Sequence, residues 1–417
     1  MITKNKVFIF ILLLYFSLIV GLYYGEDSLG AAFTDYKALK HLNEKFHNNF
    51  MFSLLNYNDF GHRQSPFLYI LGSITYDFGE LGRRIFFLHV YLLIPIYFYK
   101  SLKIKFKDVS KDYLKLFALI ILLFPTFRSY SIWTDPHLLG ILFFIISIFY
   151  YLKFKTNVRP FKNALLNTFF LSLAAYSSPN FGVFVIYFYL EFSKKFFLSK
   201  TILIISLLNI ILSIPFFVYL FYLDVNFIFD NKFYNLSHNA FSLENLSNKI
   251  IIIISIFLFY LFPLILTNVN KTKFELPKLT YKFIFSILIF FYIVYLFDFS
   301  SSYEITNSGG GFFYNLSNLL LNNNILLFIL CFFTYIYLLE IFRLDKSNLI
   351  LFLCLIFSHP QMTMWQANFS PTILFLLLLL FNNVITKNNL NLKTITISYF
   401  YFSIYLISNI IIRNILN

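Results

Sequence analysis

Apolar runs recur from one end of the chain to the other, separated by short polar gaps. Thirteen of them predict membrane-crossing helices, over about 7–24, 84–100, 113–127, 137–153, 163–177, 180–193, 201–222, 250–267, 282–298, 325–342, 347–358, 371–386 and 394–411. A helix needs about 20 apolar residues to cross a ~30 Å hydrocarbon core. Several runs are shorter than that, 347–358 being the weakest, so some of these helices are expected to be tilted or broken. No internal repeat and no flexible linker interrupts the pattern. The expected fold is an all-α polytopic membrane protein: one bundle of about 13 transmembrane helices over 1–417, with no separate soluble domain.

Charge gives the runs a direction. Basic residues fill alternate gaps: Lys4 and Lys6 before the first run, then Lys100, Lys103, Lys105, Lys107 and Lys111, then Lys153, Lys155, Arg159 and Lys162, and so on to Lys387 and Lys393. The other gaps hold Asp35, His62, Arg128, Asp135, Asp224, Glu304 and a triple-glycine turn. Short loops rich in Lys and Arg stay in the cytoplasm. The N-terminus is therefore expected on the cytoplasmic side and the acidic and His-bearing loops on the outer, periplasmic side of what reads as a bacterial inner membrane. No small-x-small cleavage site follows the first run, which reads as a retained helix rather than a removed signal peptide.

The composition agrees: 417 residues, 59% hydrophobic, 12% charged, mean hydropathy +0.73. The net charge of +14 does not indicate nucleic acid, because the positive residues sit in short loops where topology and anionic headgroups account for them. The bilayer is the expected partner. Cys331 and Cys354 lie inside apolar runs and build neither a disulfide framework nor a metal motif.

The first outward loop, 25–66, is too polar to cross but not patternless. Over 35–46, Tyr36, Leu39 and Leu42/Asn43 recur about one helical turn apart, which predicts an amphipathic helix at the membrane interface. The apolar piece Pro66–Phe78 poses a parity problem: if it crossed, Lys100–Lys115 would face outward against the charge rule. It is expected to be juxtamembrane or re-entrant, which is allowed where its ends are buried in protein.

The outward gaps carry the candidate chemistry. Asp35 lies close to the end of the first helix, where a carboxylate with apolar walls can act as a general base toward a hydroxyl; a helix N-cap is the alternative. His62 and Arg63 precede Pro66 at headgroup depth, where Arg can grip a phosphate through two parallel bonds and His can supply another donor; an interfacial anchor is the alternative. Arg128 and Asp135 flank an outward turn, either as a salt bridge with each other or as phosphate and hydroxyl contacts, and Trp133 between them stacks on a sugar ring or marks the aromatic belt. Glu304 and Gly309, Gly310 and Gly311 form a glycine-rich loop without the strand, lysine and helix of a phosphate-binding loop. Its flexibility suits a lid over a cavity, with His359 as a further possible contact. No metal motif is present and no cofactor is identified; scattered carboxylates leave a divalent cation open.

Taken in order, these strings resemble the GT-C glycosyltransferases, the group of the protein O-mannosyltransferases and lipid A aminoarabinose transferases. The resemblance rests on a first helix, on Thr34-Asp35-Tyr36 early in a long outward loop, and on His62-Arg63-Gln64-Ser65-Pro66-Phe67-Leu68-Tyr69, similar to the family's His-Pro-Pro-Leu-Tyr type segment with one proline replaced. Arg128 with Trp133-Thr134-Asp135-Pro136 leading into a span completes it, so the motif-bearing part is about residues 1–200. The departures are a single acid at Asp35 in place of an Asp-Glu pair and no large C-terminal domain.

The resemblance implies transfer of a sugar from a polyprenyl-phosphate donor to a glycan, lipid or protein acceptor on the outer face. It implies Asp35 as the catalytic base or acceptor-positioning residue, with His62, Arg63 or Arg128 near the donor phosphate. Two other readings compete. A surface-polysaccharide polymerase or ligase usually places key arginines in later outward loops, and the loops at 299–324 and 358–371 contain no Arg or Lys. A transporter ordinarily carries ionisable residues or Gly/Pro breaks in mid-span, whereas Glu191, Asp298 and Glu340 lie near span ends.

Overall fold

The computed structural model describes residues 4–32, 35–60, 64–225, 246–268, 281–299, 309–342, 345–359, 364–382, 385 and 389–415. Every regular element among them is helical. Seven helices are long and apolar enough to cross a membrane: Val7–Tyr24, Tyr76–Lys105, Pro136–Lys155, Lys200–Tyr222, Leu246–Thr267, Ile325–Phe342 and Leu392–Ile412. An eighth crossing results if Lys111–Leu123 and Pro125–Trp133, bent by 66° at their junction, count as one. Pro125 opens the second of these, a position where its missing N–H costs nothing.

Among the described residues, length and composition thus single out seven or eight of the thirteen expected crossings. Phe184–Phe196 has 13 residues and Lys346–Phe357 has 12. At ~1.5 Å of rise per residue these fall well short of a ~30 Å core. The run at 371–386 is interrupted as well: short turns Gln366–Phe369 and Thr372–Phe375 flank Pro371, which cannot donate the N–H a continuous helix needs.

The described chain divides into two compact units, Met1–Phe233 with Tyr399–Asn417, and Tyr234–Ser398. In the first, the amphipathic segment forms helix Asp35–Asn48 and buries Tyr36, Leu39, Leu42, Asn43 and Phe46. That face packs on helix Phe67–Ile74 rather than lying open to lipid. Gly72 permits the close approach: a β-carbon there would stand 2.4 Å from Asn43 Oδ1. With eight residues, Phe67–Ile74 is too short to cross, in keeping with the juxtamembrane placement of Pro66–Phe78. The helix that follows, Gly79–Tyr91, brings Arg83 and Arg84 into the interior, both at least nine-tenths buried.

The second unit is built on helix Leu246–Asn268, whose residues Ile251 to Leu261 are almost wholly buried. Phe257 packs on Phe342, Phe352 and Phe381, and Phe342 stacks on Phe381 at 4.4 Å. Asn348 ties this layer by donating to the carbonyls of Phe342 and Asn382 while accepting from the Asn382 amide.

Candidate active site

The first helix ends in a loop organised by two acids. Asp27 accepts from the amides of Gly30, Ala31 and Ala32 at 2.7–3.0 Å and from the Ser129 hydroxyl at 2.7 Å. Glu26 receives Arg128, which donates Nε to Oε1 at 2.6 Å and Nη2 to Oε2 at 2.5 Å. Two further Arg128 bonds go to the Ser17 hydroxyl and carbonyl. Arg128 is therefore a buried cation whose ion pair is with Glu26 and not with Asp135, the salt-bridge partner that the turn offered as one of two readings. Neither Glu26 nor Asp27 stood out in the sequence. The available signal was an acidic pair directly after a span, which at headgroup depth needs partners.

Beyond this loop Asp35 opens its helix, where a carboxylate also complements the helix dipole. Its Oδ1 accepts from Gln64 Nε2 at 3.2 Å. Gln64 is itself held on both sides, its side-chain carbonyl accepting from Tyr69 at 2.8 Å and its backbone carbonyl from Tyr57 at 2.6 Å. Burial holds both phenols protonated, well above their ordinary range, so each remains a donor. From the segment before Pro66, it is Gln64 that contacts Asp35. His62 and Arg63 lie outside the described residues.

Asp135 closes the arrangement. It caps helix Pro136–Lys155, accepting from the His137 amide at 2.7 Å, and is 2% exposed. Burial raises its carboxyl well above the usual range and the negative charge of nearby Asp35 raises it further, against the pull of the His137 and Leu138 amides. Two acids a hundred positions apart are thereby electrostatic neighbours, with Tyr69 sensing both. Thr134, just before Asp135, sits at φ +56°, a left-handed conformation uncommon for a β-branched residue and of the kind that clusters at functional sites.

Trp133 packs against the loop of Glu26 and the helix that Asp35 opens. Its indole N–H donates to the Glu26 carbonyl at 2.8 Å, Arg84 covers one face at 3.9 Å, and the Tyr36 ring meets it edge-on at 5.2 Å. Arg84 in turn donates to the carbonyls of Ile132 and Leu22. Arg83 and Arg84 were not singled out in the sequence; two arginines at the outward end of a span, against the charge rule, were the signal.

The remaining candidates belong to the second unit. Gly309, Gly310 and Gly311 all adopt positive φ. They form an ordered entry to helix Gly311–Leu321: Gly310 donates to the Met364 carbonyl at 2.8 Å and the Phe312 amide to Gln366 Oε1 at 2.8 Å. The three glycines thus shape the start of this helix. His359 is buried, with Nδ1 2.9 Å from the Ser358 hydroxyl and its ring on Phe369 at 4.4 Å. Glu304 lies outside the described residues. Comparison with family models, with curated proteins and with solved structures returned no match for this chain.

Proposed function

We propose that this membrane protein is a glycosyltransferase that moves a sugar from a polyprenyl-phosphate donor to an acceptor hydroxyl at the outer face of a bacterial inner membrane. The observation that carries the reading is the convergence of Asp35 and Asp135 around Gln64 and Tyr69. In this reading the acceptor oxygen attacks the anomeric carbon as its bond to the donor phosphate breaks. The acceptor proton passes to Asp35, and the polyprenyl phosphate leaves with the bonding electrons.

Gln64 holds Asp35 through Oδ1, which orients the carboxylate for the general-base role proposed for it. Asp135, kept protonated by burial, adds no second full negative charge beside the base. In this reading His62 and Arg63 supply positive charge to the leaving phosphate, an electrostatic role of the kind that stabilises charge developing in a transition state. Arg128 serves instead to hold the loop that precedes Asp35.

The test is donor turnover. Full-length protein in proteoliposomes is given a panel of polyprenyl-phosphate monosaccharides with membrane lipid or glycan extract as acceptor, and released polyprenyl phosphate is measured. Release with at least one donor, lost when Asp35 is replaced, supports the reading. Absence of release across the panel, from protein that still folds, overturns it.

A further inference from the structure

One cavity in the first unit has space for about one water-sized particle and is lined by Tyr36, Asn43, Gly72, Arg83, Arg84 and Thr134 among others. Three of these residues present a buried polar atom with no hydrogen-bond partner among the described residues: Asn43 Oδ1, Arg83 Nη1 and Thr134 Oγ1. Their residues are 2%, 8% and 3% exposed. Buried polar atoms are nearly always paired, and each orphan costs about 1–3 kcal/mol. Three facing one small space point to a ligand that satisfies them together.

Charge selects the ligand. Arg83 rests over the Tyr76 ring at 4.9 Å and forms no ion pair with a described carboxylate. Arg84 lines the same space, donates to two neutral carbonyls and has Glu80 as its nearby opposite charge, which leaves Arg83 as the guanidinium without one. No acidic residue lines the cavity. A buried guanidinium without a counter-charge is expensive, so an anion is favoured over a neutral molecule. Thr134 can donate its hydroxyl proton. The Asn43 amide has no described hydrogen bond fixing its orientation and can turn Nδ2 inward, which makes all three groups donors. The space fits one particle of about water dimensions, which matches a monatomic anion better than a phosphate group.

We propose that this cavity is a halide site, holding one chloride ion between Arg83, Asn43 and Thr134. Gly72 maintains it: a β-carbon there would meet the Asn43 amide at 2.4–2.6 Å and drive it into the space. The ion joins the helix that carries Asp35 to the helix that carries Arg83 and to the turn that leads into Asp135, so it stiffens the frame of the candidate active site without taking part in chemistry.

The experiment compares thermal unfolding of the full-length protein in detergent in sodium chloride, sodium bromide and sodium gluconate at equal ionic strength. A ligand that binds only the folded state raises the midpoint with concentration. Chloride and bromide should raise it by about 2–4 °C over gluconate. Asn43→Asp places a carboxylate beside Arg83 and should make the midpoint equal in all three salts, at or above the wild-type value in chloride. Gly72→Ala should also abolish the halide effect, at a lower midpoint. Equal midpoints for the wild type in halide and gluconate overturn the site, as does a halide effect that survives in Asn43→Asp. If that variant does not fold, bromide decides: an anomalous peak within the cavity of wild-type crystals supports the site, and a cavity holding water alone or nothing overturns it. None of these readouts depends on sugar transfer, so the site stands or falls separately from the proposed function.

Discussion

Arg128 and Glu26 meet through two parallel hydrogen bonds, with side chains only 5% and 10% exposed. The pair ties the end of the first helix to the bent span that ends at Trp133. Removing one partner of a buried pair leaves an uncompensated charge and costs about 3–5 kcal/mol. Arg128→Met should therefore lower the unfolding midpoint of the detergent-solubilised protein by several degrees. The double variant Arg128→Met/Glu26→Gln should recover much of that loss. An Arg128→Met protein as stable as wild type would show that the pair is not formed.

Asp135 gives the fold a pH dependence of defined sign. An unfolded chain ionises this carboxyl near the usual ~3.9, whereas burial and Asp35 hold the folded value well above that. Between the two values the folded protein binds the extra proton. The cost of ionising Asp135 in the fold therefore grows as pH rises through this window and is constant above it. Asp135→Asn keeps the cap on helix Pro136–Lys155 and cannot ionise. Its midpoint should equal that of wild type near pH 4 and exceed it increasingly toward neutrality. Parallel pH profiles for the two proteins would contradict the assignment.

Gln64 should act through Asp35. Gln64→Glu places a second negative charge 3.2 Å from Asp35 Oδ1, which disfavours the ionised base and shifts the acid limb of a pH–activity profile to higher pH. Gln64→Ala removes the orienting bond without adding charge, and should lower turnover with little change in that limb. The same shift in both variants would mean that Gln64 supports the fold and not the base.

Topology is open to chemical labelling at exposed positions. Cysteine at Asn49, just after the amphipathic helix, should react with an impermeant maleimide on intact cells. Cysteine at Lys195, in the Lys-rich gap, should react only after permeabilisation. Both residues are exposed. Labelling of both from outside would refute the orientation read from the Lys and Arg asymmetry.

The helix over Asp35–Asn48 was legible because its burial follows one face: Tyr36, Leu39, Leu42, Asn43 and Phe46 are the buried positions and the first four carry the pattern. What the pattern could not show was the cover on that face, which is protein, because the apolar surface of helix Phe67–Ile74 reads the same as lipid to a hydropathy count. The number of crossings was not fixed by hydropathy for a related reason: an apolar run marks a buried or lipid-facing segment, and helix length is needed to separate a crossing from a short helix such as Lys346–Phe357. Long-range partners were not legible at all. A salt bridge between Arg128 and Asp135, seven positions on, was one of two readings open because nearness in sequence was the only geometry on offer, whereas the ion pair forms with Glu26, at the start of the first loop. Asp35 and Asp135 were each found as acids at span ends, while their approach to each other is a product of tertiary packing.

The central claim is that Asp35 removes the acceptor proton, and the most direct measurement is the turnover of Asp35→Asn in the donor-release assay. Asparagine keeps the size of the side chain and its contact with Gln64 but cannot take the proton. A general base contributes on the order of 10²–10⁴-fold in rate. Turnover should fall by that factor while the unfolding midpoint stays close to wild type, since asparagine serves a helix start nearly as well as aspartate. Near wild-type turnover in a normally folded Asp35→Asn protein would contradict the assignment of Asp35 as the base.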